Sequence, residues 1–357
     1  MGGWRVSTAA TSVLLAVVVA VVKGVLIIFV LMTAFAYLTL AERKVSARIQ
    51  LRYGPNRVGP FGFLQPAADG VKLFTKEKVA PEGRDNFLYL LAPALAACAA
   101  LFAFSVIPIN QTICIAGTHG AGPLSASCPG GYPLHWDLAH LNIGLLFILA
   151  ITSLGVYSIF LGGWASNSKY PLLGALRSSA QLISYEMAVS FALIGPVLLA
   201  GSLNLETIVN QQHSLWFVFL QPMGFLLYFT GALAETNRLP FDLPEAEAEL
   251  VAGYHTEYSG MRFGLFFMAE YINMVTVCSI ATVVFLGGWM APFFFLPNWL
   301  GPIWFVAKVG LLLFVMMWVR WTFPRLRYDR LMQFGWKVLL PLGLANLMLT
   351  SVFVALR

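Results

Sequence analysis

The sequence predicts an all-α polytopic membrane protein, with about eight transmembrane helices, an amphipathic interfacial helix and structured cytoplasmic loops. Three observations predict it. Over 357 residues the mean hydropathy is +0.77 and only 11% of side chains are charged, a composition far outside the soluble globular range. Runs long enough to cross a bilayer, which takes about 20 apolar residues, occur at 21–41, 87–108, 141–162, 180–201, 214–234, 262–288, 301–319 and 335–356. Finally, Lys and Arg are one-sided. The segments 42–86, 163–178, 235–261 and 320–334 carry nine, two, one and four of them, while 109–140, 202–213 and 289–300 carry none. Loop cations favour the cytoplasm, so the first set is assigned inside and both termini outside.

The chain thus reads as one membrane domain, 1–357, with three inward loops of special composition at 42–86, 235–261 and 320–334. The first apolar stretch begins as early as Val13 and is interrupted by Lys23. It is too long, and lacks the small-residue cleavage site, for a removable signal peptide. Lys23 lies about 28 Å along the helix from Glu42 and reads as an outer-end snorkel, whereas Lys308, in the seventh run, stays open as a partner for a buried carboxylate.

A net charge of +6 does not argue for nucleic acid, because the basic residues follow topology and suit an anionic bilayer surface or protein partners. No CxxC pair, dinucleotide fingerprint or phosphate-cradling loop occurs, so no redox centre is expected in this chain. Cys114 and Cys128 share one outward loop, where a disulfide and two free thiols both stay open. No metal site is expected: His119, His135, His140 and His213 are outward, and the five-residue step from His135 to His140 does not aim two imidazoles at one ion on a helix.

The first inward loop is dense in charge, with Glu42, Arg43, Lys44, Arg48, Arg52 and Arg57 between residues 42 and 60. Charges snorkelling from a helix end would look the same. Gly-Pro then occurs twice around Asn56-Arg57, which is turn chemistry. From 63 to 77 the period is helical: Leu64, Ala67, Ala68, Val71 and Phe74 share one face and Gln65, Asp69, Lys72 and Lys76 the other, as in a helix lying along the interface. An Asp69–Lys72 pair on a plain surface helix is the alternative. Together, turn, cationic strip and interfacial helix read as a floor beneath the bundle that docks another protein and admits an apolar molecule from lipid.

Ionisable residues within spans are costly and by default functional. Glu186 and Glu270 follow the inner ends of their runs and are expected in one layer, roughly 12–14 Å deep, joined by Glu235 from the end of the fifth run. Beyond it, Asp242, followed by Pro244 and Glu245, reads as a helix start, with Asp242 as N-cap and Glu245 at the third position. Glu245 and Glu249 would share a face, with Glu247 across, and Glu257 follows. Crowded, poorly solvated carboxylates raise one another's pKa, the poise a proton relay needs. The segment 320–330, RWTFPRLRYDR, interleaves Arg with aromatic residues and suits either an interfacial anchor or the wall of a site.

Three stretches resemble one family: AERKVSARIQLRYGPNRVGPFGFLQPAADGVKLFTKE (41–77), AETNRLPFDLPEAEAELVAGYHTEYSGMRFGLFFMAEY (234–271) and RWTFPRLRYDRLMQFGWK (320–337). They are similar to the H subunit of respiratory complex I, the proton-pumping NADH:quinone oxidoreductase, and to its mitochondrial counterpart, and the resemblance extends over essentially all spans. It implies a translocase component of a cell inner membrane, or of the mitochondrial inner membrane. Such a component binds no cofactor itself: quinone, such as ubiquinone, is the substrate, and NADH, FMN and iron–sulfur clusters belong to partner subunits of the peripheral and membrane arms. By motif, Glu42, Arg43, Arg52 and Asp69 would belong to the quinone chamber. Arg238, Asp242, Glu245, Glu247 and Glu249 would form the coupling loop, and Glu186, Glu235, Glu257 and Glu270 the proton path. The corresponding component of an energy-converting hydrogenase, or a stand-alone ion transporter, is the alternative; the latter's usual internal repeat is not seen.

Overall fold

The computed structural model describes residues 3–115, 132–242, 253–292 and 300–356. Helix α1 (Gly3–Ile49) does not stop where its apolar run does but continues through Glu42, Arg43 and Arg48. Strong helix formers in this stretch carry it on. It ends where Leu51 takes a positive φ of 54° and Gly54-Pro55 follows. The turn after it is shaped as expected: Gly62 has φ 76°, and a Cβ there would stand 2.3 Å from the Pro55 carbonyl oxygen. Lys44 Nζ fastens the turn to α1 by donating to the Phe61 carbonyl at 2.6 Å.

Helix α2 (Gln65–Thr75) has no buried residue; Val71 and Phe74 remain open, consistent with an apolar face laid on lipid. Helix α3 (Asn86–Phe104) is capped by Asp85, whose carboxylate accepts from the Phe87 and Leu88 N–H groups at 3.0 and 3.2 Å. The outward connection after it contains two strands that the sequence does not lead one to expect, β1 (Ile113–Ile115) and β2 (Tyr132–Leu134), paired antiparallel with Cys114 opposite Pro133. Cys128 lies outside the described residues.

Next come α4 (Gly144–Ala165), α5 (Lys169–Ala200), the short α6 (Leu205–Gln211) and α7 (Phe217–Leu220), then α8 (Pro222–Glu235). After the inward loop follow α9 (Met261–Phe285), α10 (Gly301–Thr322) and α11 (Tyr328–Leu356), the last with a π turn over Gly335–Leu339. Among the described residues, seven helices are long and apolar enough to cross a membrane. The expected fifth span is the exception. It is divided into α7 and α8 at Gln221 (φ −133°, ψ 60°), because Pro222 disfavours helical geometry in the residue before it. The Gln221 side chain donates to Thr350 Oγ1 at 2.8 Å, supporting the break. With α5 running outward and α9 starting again inside, α7 and α8 together return the chain to the inner face.

Helix α9 is the centre of the bundle. In its most apolar stretch 83% of residues are buried, against 6% for α1, which runs along the outside. Thr276, Ser279 and Thr282 on α9 hide their hydroxyls by donating to the carbonyls of Ile272, Val275 and Cys278 one turn back. Its outer end is closed by Lys308 of α10. Nζ donates to the carbonyls of Leu286, Gly288 and Met290 at 2.6, 3.0 and 2.7 Å and lies 4.3 Å from the Trp216 ring centre. A cation belongs at that end, where carbonyls of the terminal turn lack partners. Lys308 therefore meets backbone oxygens rather than the carboxylate the sequence left open. Lys23 Nζ likewise donates to the His135 carbonyl, at 2.7 Å.

Candidate functional site

The prolongation of α1 presents Glu42 to the interior, 5% exposed. Three distant elements meet it. Arg238, just past α8, donates from Nη1 to both carboxylate oxygens at 2.8 and 3.1 Å; the Tyr271 hydroxyl of α9 donates at 2.6 Å; and Arg320 of α10 donates to Oε1. The guanidinium of Arg238 also lies 4.5 Å from the Tyr271 ring centre. Its Nε stands 2.8 Å from Glu270 Oε1, but the N–H is not directed at that oxygen, so the contact is one of charge rather than a hydrogen bond. Burial alone would lower the pKa of Arg238; the carboxylates of Glu270 and Glu42 outweigh it and raise the pKa, so the cation is locked.

Glu270 leads from this cluster into a cavity of about 70 Å³, lined among others by Glu186, Glu235, Glu270, Asn237, Asn273 and Thr152. That is room for several waters. The expected layer of carboxylates is therefore a shared cavity wall. Glu186 is reached differently than expected, because α5 starts at Lys169, well before its apolar run. Ser153 of α4 donates to the Glu186 carboxylate. Nε and Nη2 of Arg238 are buried and have no hydrogen-bond partner among the described residues.

At the outer margin of the floor, Arg43 Nη1 is 2.8 Å from Asp69 Oδ2, and Gln65 Nε2 donates to Asp69 Oδ1 at 3.1 Å. Asp69 thus pairs with α1 rather than with Lys72 on its own helix. Arg52 Nε donates to Gln50 Oε1 at 2.7 Å, and Arg52, Asn56, Arg57 and Gln65 surround an open depression. Glu257 stands apart from the cavity: its carbonyl accepts from the Tyr89 hydroxyl at 2.6 Å. Asp242 is partly buried beside the coupling segment, whereas Glu245, Glu247 and Glu249 lie outside the described residues.

Sequence reasoning missed Tyr271, Ser153 and Asn273, whose residue types carry no local signal at those positions. It weighed Arg320 only as part of an aromatic–basic stretch, and nothing in spacing predicts a contact across 278 residues. On the outer side one expectation needs correction. Residues 135–140 are not helical, so the spacing argument that kept His135 and His140 apart does not apply. Their rings stack 4.1 Å apart.

A helix bundle with membrane-length apolar helices, in which one guanidinium ties the Glu42 carboxylate of the inward floor to Glu270 on a cavity wall, has the build of a polytopic membrane protein with a functional site at membrane depth. Similarity to known proteins narrows this class. The chain matches the NADH dehydrogenase family over residues 22–351. It is 52% identical over 356 residues to the second of the NADH-quinone oxidoreductase H subunits of Koribacter versatilis, covering 97% of this chain and 99% of that one. It is 51% identical to the first such H subunit of Geobacter metallireducens (97% and 100% covered) and to that of Geobacter sulfurreducens (93% and 94%). The chain belongs to this family and is a multi-pass inner-membrane component of an NADH-quinone oxidoreductase.

Proposed function

We propose that the chain forms the quinone-access chamber of the complex and passes the consequence of quinone reduction to carboxylates at membrane depth. The single observation that carries this reading is Arg238, in contact at once with Glu42 at the end of α1 and with Glu270 on the cavity wall. Quinone enters over the open apolar faces of α1 and α2, passing Arg43, Arg52 and Asp69. NADH, FMN and iron–sulfur clusters reside in partner subunits that dock on the inward loops, and no electron carrier is needed here. The role of this chain is charge. A change in protonation or occupancy near Glu42 shifts the balance of Arg238 between its two acidic partners, and a released Glu270 takes up or gives up a proton through the water-sized cavity to Glu235 and Glu186. Glu245, Glu247 and Glu249 in the coupling loop, with Asp242, supply the inward approach.

The test is Glu270→Gln in the assembled complex. Gln keeps a hydrogen-bonding side chain of nearly the same shape and removes the titrating charge. The variant is expected to assemble, to oxidise NADH with an artificial acceptor that takes electrons upstream, and to lose most quinone-linked proton transport. Wild-type proton transport per quinone would overturn the assignment of Glu270.

A further inference from the structure

On the outward face, away from the proposed chamber, we infer that His135, His140 and Glu206 form a binding site for a divalent transition-metal ion of the zinc type, with Asp137 and Thr112 as its positioning residues. Donor atoms of these three residues lie within 4.8 Å of one another. Two come from the connection between α3 and α4, and one from α6, after α5.

Hydrogen bonding assigns the tautomers. Glu206 accepts from the Thr112 hydroxyl at 2.8 and 3.0 Å and from the Thr112 N–H at 3.3 Å. A carboxylate can only accept, so the single hydroxyl proton goes to Glu206, and Thr112 Oγ1 must itself accept from His135 Nδ1, 3.0 Å away. The same logic places a proton on His140 Nδ1, which stands 3.0 Å from Asp137 Oδ2. Both imidazoles are therefore held by Nδ1–H, with the Nε2 lone pairs left as donors. This is the arrangement in which carboxylates and hydroxyls orient metal-binding histidines. Among the described residues, the Asn204 amide nitrogen lies 3.5 Å from His140 Nε2; His140 Nδ1 is 3.9 Å from Glu206 Oε2.

A second observation is independent of the ligands. Asp137 is 7% exposed, yet its Oδ1 has no hydrogen-bond partner among the described residues. With two neutral imidazoles, Asp137, Glu206 and the Lys23 ammonium on the His135 carbonyl, the cluster sums to one negative charge, with Asp137 and Glu206 buried. A dication offsets it. Two imidazole nitrogens, one carboxylate and water suit zinc in tetrahedral coordination. Donors around such an ion stand roughly 3.3 Å apart, so closing on it requires the two Nε2 atoms and the Glu206 carboxylate to turn toward one another. Bound metal would clamp the α3–α4 connection to the α5–α7 connection across the outer face.

The assembled complex, purified in detergent, is equilibrated with chelator-buffered Zn²⁺ and zinc is counted per complex by mass spectrometry. Wild type and a His213→Gln control are expected to hold one zinc more than His135→Gln or Glu206→Gln, and Asp137→Asn to need about 10–100-fold more free zinc for that ion. Zinc-edge X-ray absorption on the wild type is expected to show imidazole donors at about 2.0–2.1 Å. Equal zinc content in all variants, or a wild-type spectrum with oxygen donors only, would overturn the site. The wild-type spectrum decides even where a variant fails to assemble.

Discussion

Glu42 and Arg43 are consecutive residues on one helix, and they enter opposite kinds of ion pair. A step of about 100° along an α-helix turns Glu42 into the bundle, where its pair with Arg238 is 6% and 3% exposed. The same step turns Arg43 outward to Asp69, where the pair is 49% and 32% exposed. The inner pair is reinforced by Tyr271 and Arg320 and extends to Glu270; the outer pair has, among the described residues, Gln65 as a further donor. The two differ in what removal leaves behind. A lost partner inside strands a charge that water cannot reach, whereas outside, water takes the vacated place. The inner pair is accordingly a matter of folding and transmission, the outer one a matter of what the floor offers to a ligand.

The sharpest way to break this contrast is Arg238→Leu. It leaves Glu42 and Glu270 without their shared cation, and breaking a buried pair in this way costs about 3–5 kcal/mol. We expect a large fall in thermal stability of the purified chain and poor assembly. A denaturation midpoint near that of wild type would show that Arg320 and water suffice for Glu42. Next in size is Tyr271→Phe, which deletes one hydrogen bond to a carboxylate in place, a loss of about 1.5–3 kcal/mol. Arg238→Lys retains charge but not the planar fork that reaches Glu42 and Glu270 together, and should fall between Arg238→Leu and wild type.

How far the contrast was legible in the sequence follows from the ranges over which its parts act. The spans announced themselves through apolar runs, and the shaped turn through Gly59-Pro60 and Gly54-Pro55, because these signals are local. The break at Gln221-Pro222 was also written locally, but the apolar residues on both sides masked it. The partners of Glu42 lie 196, 229 and 278 residues away, and no periodicity encodes such pairings. Charge density drew attention to residues 42–60 as a whole, yet only packing separates Glu42 from Arg43. At His135 and His140 the difficulty was different: a helical spacing rule was applied to a segment that is not a helix.

A smaller stability effect is expected at Glu186. In Glu186→Gln the amide oxygen can still accept from Ser153, so stability should change by no more than about 1 kcal/mol. Quinone-linked proton transport should nevertheless fall strongly if Glu186 shares protons with Glu235 and Glu270. Unchanged transport in an assembled variant would leave Glu186 a structural acceptor for Ser153.

The smallest effect on stability belongs to the outer pair, and it sharpens the comparison most because stability and activity should part company there. Exposed pairs contribute about 0–1 kcal/mol, and salt screens them over roughly 10 Å at 0.1 M. Arg43→Ala and Asp69→Asn should therefore assemble and melt within a few degrees of wild type, the difference shrinking as salt is added. Quinone reduction should fall in both, because the charge pattern at the margin of the floor is altered while the buried Glu42–Arg238 cluster is left intact. The double variant discriminates between two causes. If the pair acts as a unit that sets the angle of α2 against α1, the second substitution should add little to the first. If each charge meets the incoming quinone or a docking protein separately, the losses should multiply. Full quinone turnover in both single variants would assign Arg43 and Asp69 to surface solvation alone, and the floor would then depend on the buried pair.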